Sequence, residues 1–379
     1  MKIGLIKVVD RIFGFPLCLL LSIINLIWNK KMLAKEKIRR ILIIQLWGIG
    51  ETILTIPSIK FLKKEYRQAQ IEILCTARNK DVYLGYRFIK KLNVLNLNIF
   101  NIILFIFRNY KRYDVVIDME EYLNISAIIA FFVGNYNVGF SHKARSLLYD
   151  TKVEYNDKQH VSKTFFDLVR SLGVKGSIKN LEKLNYTRKD KNRVDEILKT
   201  EGINRRSFIV GIASGVAESA KSRIWPKENF AELIKRIYKK KKKSVFLLIG
   251  TKSDLPLNES IIKLVDDKKI KIVNLAGKFS LRQTFYLISR FNILISNDSG
   301  PMHIGAAMGV KTIGLFGPNT PVRFGPFSSK GISIYKKIYC SPCINVHKGE
   351  VPGCLHKKTS KDYKKCMRSI SVDDVMHYV

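Results

Sequence analysis

The sequence predicts an α/β protein made of two doubly wound, Rossmann-like domains with parallel sheets. Three observations carry that prediction. Short apolar runs of strand length alternate with stretches of helical periodicity along most of the chain. The 379 residues leave room for a core in each of two domains. The stretch from Asn292 to Pro321 reads strand, small polar loop, helix, strand, turn, which is the βαβ pattern in its most compact form. The expected layout is a basic and apolar segment at 1–36, a first domain at 37–188 and a second at 189–379.

The segment Ile12–Trp28 contains no charged residue. As a helix it would be roughly 26 Å long, slightly short of a hydrocarbon core of about 30 Å. Lys2, Lys7 and Arg11 precede it, and Lys30, Lys31, Lys35, Lys37, Arg39 and Arg40 follow it. It predicts membrane attachment, either spanning, re-entrant at Pro16 or lying at the interface with Trp28 at headgroup level. A cleaved leader fits less well, because no small-x-small site follows the apolar run. The chain carries 67 Lys and Arg against 31 Asp and Glu, a formal +36. That field favours anionic partners such as a membrane surface or phosphorylated substrates. No helix-turn-helix or RNA-binding signature accompanies it, so nucleic acid is not expected.

In the first half, Ile41–Leu46 reads as a buried strand, followed by Trp47-Gly48-Ile49-Gly50-Glu51-Thr52 and a helix to about Tyr66 with Pro57 inside it. The dinucleotide fingerprint needs a third glycine where this chain has Ile53, which argues against NAD. The two glycines are expected to turn the backbone and present Glu51 at the helix start; the plain alternative is a carboxylate favoured by the helix dipole. Strands at Ile71–Cys75 and Asp114–Asp118 and helices at Tyr122–Phe132 and His160–Leu172 follow.

In the second half, the strand Phe208–Ile212 ends in Ala213-Ser214-Gly215, with Lys221, Arg223 and Trp225 shortly after. The strand Val245–Ile249 precedes Asp254 and Glu259, and Lys271–Leu275 and Leu281–Arg290 give a strand and a helix. Asn292–Ser296 and Lys311–Phe316 are the last two strands expected, separated by Asp298, Ser299, Gly300, Pro301, Met302 and His303. Pro301 suits a first helical turn, and such a helix start suits an anion such as a diphosphate. Loops after parallel strands gather at one sheet edge. Their cations and amides fit phosphates, and their carboxylates fit ribose or sugar hydroxyls. Cys340, Cys343, Cys354 and Cys366 are spaced C-x2-C-x10-C-x11-C, with His347 and His356 between them. A structural tetrathiolate zinc and a set of reduced thiols both fit that spacing.

The run ILIIQLWGIGETILTIPSIKFLK resembles the N-terminal signature of glycosyltransferase family 9, the lipopolysaccharide heptosyltransferases. SNDSGPMHIGAAMGVKTIGLFGPNTP resembles the donor-site signature of the same family, and the resemblance extends over roughly residues 40 to 379. It implies the glycosyltransferase-B fold, two facing Rossmann-like domains with the acceptor mainly on the first and a nucleotide-sugar donor on the second. It also implies inverting, metal-independent transfer of heptose from ADP-heptose to a lipopolysaccharide-core or other lipid-linked acceptor at the cytoplasmic face of the bacterial inner membrane. The family's catalytic base is an Asp, matched here by Glu51; its Lys before the Trp is matched by Arg223, with Lys221 nearby; its donor-binding Asp is matched by Asp298. Ser299 to His303 would receive the leaving diphosphate and Ser214 would approach the donor. The family's ribose-binding Glu has no clear match, Asp254 and Glu259 being the candidates. In this fold the last residues, through Val379, are expected to return to the first domain. Two other classes are weighed beside it: a non-catalytic nucleotide-sugar-binding scaffold, and a nicotinamide oxidoreductase, which the missing glycine disfavours.

Overall fold

The structure, a computed structural model, describes residues 8–27, 32–204, 206–345, 349 and 353–379. Lys2, Lys7, Trp28, Lys30, Lys31 and His347, singled out above, lie outside the described residues. The chain forms two compact units, Met1–Ile178 with Val346–Gly349, and Lys179–Asn345 with Glu350–Val379. The expected boundary after residue 188 thus falls inside the second unit, and residues 1–36 belong to the first.

The first unit holds a six-stranded sheet of β1 (Arg40–Ile44), β2 (Gln70–Cys75), β3 (Lys91–Val94), β4 (Tyr113–Asp118), β5 (Gly134–Phe140) and β6 (Thr151–Val153), ordered β3-β2-β1-β4-β5-β6. Its pairings are parallel, with Ile43 opposite Ile73 on one side and Ile117 on the other. Burial on both faces explains why β1 reads as an unbroken apolar run. The second unit repeats the plan with β7 (Phe208–Ala213), β8 (Ser244–Leu248), β9 (Ile272–Asn274), β10 (Ile293–Asn297), β11 (Lys311–Phe316) and β12 (Gly331–Tyr335), ordered β12-β11-β10-β7-β8-β9. In each sheet the strand order reverses between the first and fourth strands, β1/β4 and β7/β10. Helices leave to opposite faces there and open a crevice at the carboxyl ends. Glu51 follows β1, and Asp298 follows β10.

The chain is helical from Val8 through Ile27 and packs on the first unit. Asp10 holds it there, its carboxylate accepting from the backbone N–H of Asn124 (3.0 Å) and Ile125 (2.8 Å). Those are orphan donors at the start of the helix Asn124–Val133, capped here by a residue more than a hundred positions away. Among the described residues no helix is long and apolar enough to cross a membrane, so the spanning reading of the segment finds no support. The end of the chain also departs from expectation. Cys366, Met367, Ile370 and Val375 join the core of the second unit, because Trp225 donates to the Ile370 carbonyl (2.9 Å) and Lys336 pairs with Asp374 (2.7 Å).

A buried ionic network fixes the crevice of the first unit. Arg145, fully buried, donates to Asp118 Oδ2 (2.7 Å), the Glu120 carbonyl (2.6 Å) and Ser126 Oγ (3.1 Å), and Tyr149 also donates to Asp118 (2.6 Å). Glu120 Oε1 accepts from the backbone N–H of Leu46 (2.5 Å) and Trp47 (2.8 Å) and from Gln45 Nε2 (3.1 Å), so it clamps the loop that leads to Glu51. Burial, and next the charge of Asp118, raise the Glu120 pKa from 4.5 to about 8, against the pull of the two backbone bonds and Arg145. A folded-state value above the unfolded one means a contribution to stability that is complete below the unfolded value. It is lost as pH rises through the folded value. Glu120→Gln keeps the acceptor oxygen and removes the titration. Between about pH 5 and about pH 8.5 the wild type should therefore lose stability relative to this variant, by an amount on the order of 4 kcal/mol. Chemical denaturation at fixed ionic strength checks this, and parallel pH profiles for the two proteins would refute it.

Candidate functional site

In the first unit the chain leaves β1 at Ile44 and enters the helix Ile49–Glu65 through Gly48, whose φ is +69°. A Cβ on Gly48 would lie 1.9 Å from Glu51 Oε2. The Glu51 carboxylate therefore folds back over the Gly48 backbone, and both the dihedral and the space demand glycine. Gly50 is no turn residue: it is the second residue of the helix and is buried. The helix continues through Pro57. Glu51 is half-buried in the first helical turn. The ionisation of Tyr122 is suppressed first by burial and then by the charges of Glu120, Glu51 and Glu121. Tyr155 donates to Glu121 Oε1 (2.9 Å). The crevice end of β1 and β4 thus gathers Glu51, Glu120, Glu121 and Tyr122, with Glu51 leading the helix. Of these, only Glu51 is a site residue expected from sequence; Tyr122, expected to open a helix, lies just before the helix Asn124–Val133.

In the second unit Asp298 is 3% exposed, and its Oδ2 meets Arg223 Nη1 (3.0 Å) and Asn319 Nδ2 (2.9 Å). It does not cap the following helix. Ser299 is the N-cap of the helix Gly300–Ala307, with no side-chain cap bond, and the space around Gly300 is open. Ser299, Gly300 and Pro301 are partly accessible, while Met302 and His303 are buried. Met302 packs its sulfur against Gly314. Burial first, and the Arg223 charge second, lower the His303 pKa to about 4, so its imidazole is neutral and adds no cationic charge for a diphosphate.

Asn297, which sequence reasoning passed over, ties this edge together. Its amide donates to the Ser214 carbonyl (2.6 Å) and accepts from Trp225 N–H (3.1 Å). Both Asn297 and Asn319 stood in the two polar loops already recognised, so the signal was present in the sequence. Ser214 is fully buried and donates to Asn258 (2.7 Å), which makes it a strut of the loop and leaves no hydroxyl for a ligand. Lys221 is exposed and pairs with Glu218 (2.5 Å). Asp254 closes a capping box with Thr251 (2.7 Å to its N–H) and sits against Gly215, where a Cβ would lie 2.1 Å from its Oδ1. That places Asp254 beside the loop after β7. Glu259 is exposed on the helix Leu255–Val265, beyond its first turn.

The four tail cysteines converge, lining one small cavity with His356 and Asp362. Lys364 N–H donates to Cys354 Sγ (3.4 Å). Burial pushes up the Cys366 thiol, to about 11, and that of Cys343. Among the described residues, however, no group of three or more His, Cys, Asp or Glu is placed to hold a metal ion. Cys18 and Cys75 are buried apart from them, each with a thiol pKa near 12 raised by burial.

The family described as glycosyltransferase family 9 (heptosyltransferase) matches residues 108–352. Lipooligosaccharide heptosyltransferase 2 of Campylobacter jejuni is 21% identical over 332 residues, 86% of this chain and 93% of the relative. A glycosyl transferase family 9 structure from Veillonella parvula superposes with a TM-score of 0.76 at 21% identity, covering 92% of this chain and 98% of that one. The structure of E. coli ADP-heptose lps heptosyltransferase II gives a TM-score of 0.70 at 19% identity, covering 89% and 97%. These likenesses agree with the two parallel-sheet units found here. The chain belongs to glycosyltransferase family 9, the heptosyltransferases of lipopolysaccharide biosynthesis, and is a glycosyltransferase.

Proposed function

We propose that the chain transfers a heptose, or a related sugar, from ADP-heptose to a lipopolysaccharide-core or other lipid-linked saccharide, with inversion and without a catalytic metal. The carrying observation is the uncapped, open helix start at Gly300 beside the Arg223–Asp298–Asn319 cluster. Helix amides and a guanidinium are the fixed positive potential that a departing diphosphate needs. Asp298 Oδ2 is taken by Arg223 and Asn319, which leaves Oδ1 to accept from a sugar hydroxyl. Glu51 is the base: the acceptor oxygen bonds to the anomeric carbon, the bond to the diphosphate breaks, and the hydroxyl proton passes to Glu51. The likeness to an enzyme named for ADP-heptose supports the donor, and a different nucleotide sugar is the alternative.

The net charge of +36 and the apolar N-terminal helix support a site at the cytoplasmic face of the bacterial inner membrane, next to an anionic, membrane-held acceptor.

Glu51→Ala should lower kcat by about 10²–10⁴ while donor affinity changes little. Steady-state transfer assays across a panel of nucleotide sugars check this. Near-zero turnover for both proteins with every donor would instead indicate a nucleotide-sugar-binding scaffold, and preference for a UDP- or GDP-sugar would replace ADP-heptose. The four tail cysteines, not placed among the described residues to hold a metal ion, should react as free thiols with a thiol reagent once the protein is unfolded. About one equivalent of protein-bound zinc in metal analysis would overturn that reading.

A further inference from the structure

The N-terminal helix is turned inside out relative to a helix of a soluble domain. Its inward stripe is Asp10, Gly14, Cys18, Leu21 and Asn25, spaced for one helical face, with Gly14, Cys18 and Leu21 buried. Gly14 permits the close approach, since a Cβ there would lie 2.8 Å from Asn124 Cβ. Asn25 donates to the Leu147 carbonyl (2.9 Å). The large apolar side chains face outward: Ile12, Phe13, Leu20 and Ile23 are 58%, 69%, 62% and 60% exposed. Small and polar residues against protein, with bulky apolar residues away from it, is the pattern of a helix whose outer solvent is lipid.

A second helix, Ile99–Arg108, independently shows the same feature. Ile102 is turned inward, while Ile99, Phe100, Ile103 and Phe107 are 71%, 71%, 58% and 81% exposed. Both helices pack on the buried helix Asn124–Val133. Ile129, Ala130 and Val133 share a core with Ile102, and Ala127, Ile128 and Phe131 share one with Cys18 and Leu21. Nineteen of the 24 large apolar side chains exposed among the described residues belong to the first unit, so the feature is not a general property of the surface.

We propose that these two helices form an interfacial docking surface for an anionic lipid bilayer, with the N-terminal helix lying in the membrane plane. Charge argues for lipid over a second copy of the chain. The protein is strongly cationic, and Arg11 and Arg108 are exposed on the two helices, so two like-charged copies would repel where an anionic headgroup layer attracts. Spanning is disfavoured because leaving the domain would strip the half-buried Asp10 carboxylate of its two backbone donors. This deepens the reading of a membrane-held acceptor and rests on it only for its purpose.

The test is co-sedimentation of the full chain with phosphatidylcholine vesicles, with and without phosphatidylglycerol, in the absence of donor and acceptor. Wild type should bind the anionic vesicles, less so at high salt. Phe100→Ser with Phe107→Ser, and separately Phe13→Ser with Leu20→Ser, should each weaken binding about tenfold. Melting temperature should be unchanged, because all four side chains are exposed. Loss of binding in the N-terminal pair alone would remove the helix Ile99–Arg108 from the surface. Equal binding by all variants would overturn the proposal, as would a wild type that ignores vesicles and dimerises through these faces in light scattering. Because no sugar transfer is read, a wrong donor assignment leaves this result standing.

Discussion

The geometry of the first unit's crevice depends on one buried cation. Arg145 lies where Asp118 ends β4 and Glu120 begins the next loop, and it bonds to the carboxylate of the first and the carbonyl of the second. One guanidinium compensates one carboxylate, and a second ionised carboxyl in the same dry space would go uncompensated. Glu120 therefore takes the proton near neutrality. A protonated Glu120 can still accept the Leu46 and Trp47 N–H groups, so the loop before Glu51 is clamped without adding a charge beside the proposed base. Removing Arg145 would leave Asp118 buried and unpaired, a loss on the scale of 3–5 kcal/mol.

The second unit solves the matching problem with an amide. Asn297 at the end of β10 holds the loop after β7 through Ser214 and the following segment through Trp225, and the tail holds Trp225 from behind through Ile370. A neutral strut leaves the local potential to the helix start and to Arg223. The Arg223 charge is offset at rest by Asp298, its partner at 3.0 Å. On the function proposed above, an arriving diphosphate would meet a guanidinium already oriented and partly desolvated, which lowers the ordering cost of binding.

Most of this frame could be read from composition. The buried central strands are continuous apolar runs, and Lys311–Phe316 was bounded correctly because Gly309 and Gly317 punctuate both ends. The strands that escaped notice are of another kind. Lys91–Val94, Thr151–Val153 and Gly331–Tyr335, the last lying beyond the final strand expected, are short edge strands with little buried surface, and Gly134–Phe140 carries glycines and asparagines that read as loop. The helix Ile99–Arg108 (IFNIILFIFR) is so apolar that period alone cannot separate it from a strand. At the sites, sequence indicated which loops matter and where Glu51 and Asp298 stand. It could not show that Glu120 reaches back 73 to 75 residues to grip the loop before Glu51. Nor could it show that Met302, His303 and Ser214 turn inward, since a signature fixes backbone position and leaves side-chain direction to packing.

Glu51 is the proposed base, and where the resemblance implies an Asp the longer side chain would at first be expected to reach too far. Gly48 changes that judgement. With φ at +69° and no Cβ, it opens space directly over its backbone, and the Glu51 carboxylate occupies that space. The added methylene is taken up in folding back toward the helix start, so the carboxylate stays near the N-terminal dipole that a shorter side chain would address directly. The loop that carries Gly48 is gripped by Glu120, the helix that follows Tyr122 is capped by Asp10, and Asp10 belongs to the N-terminal helix. A chain of short polar contacts within one unit thus joins the apolar helix to the neighbourhood of Glu51. A surface that docks on lipid would then set the orientation of the first unit's crevice through bonded neighbours, without any motion being required.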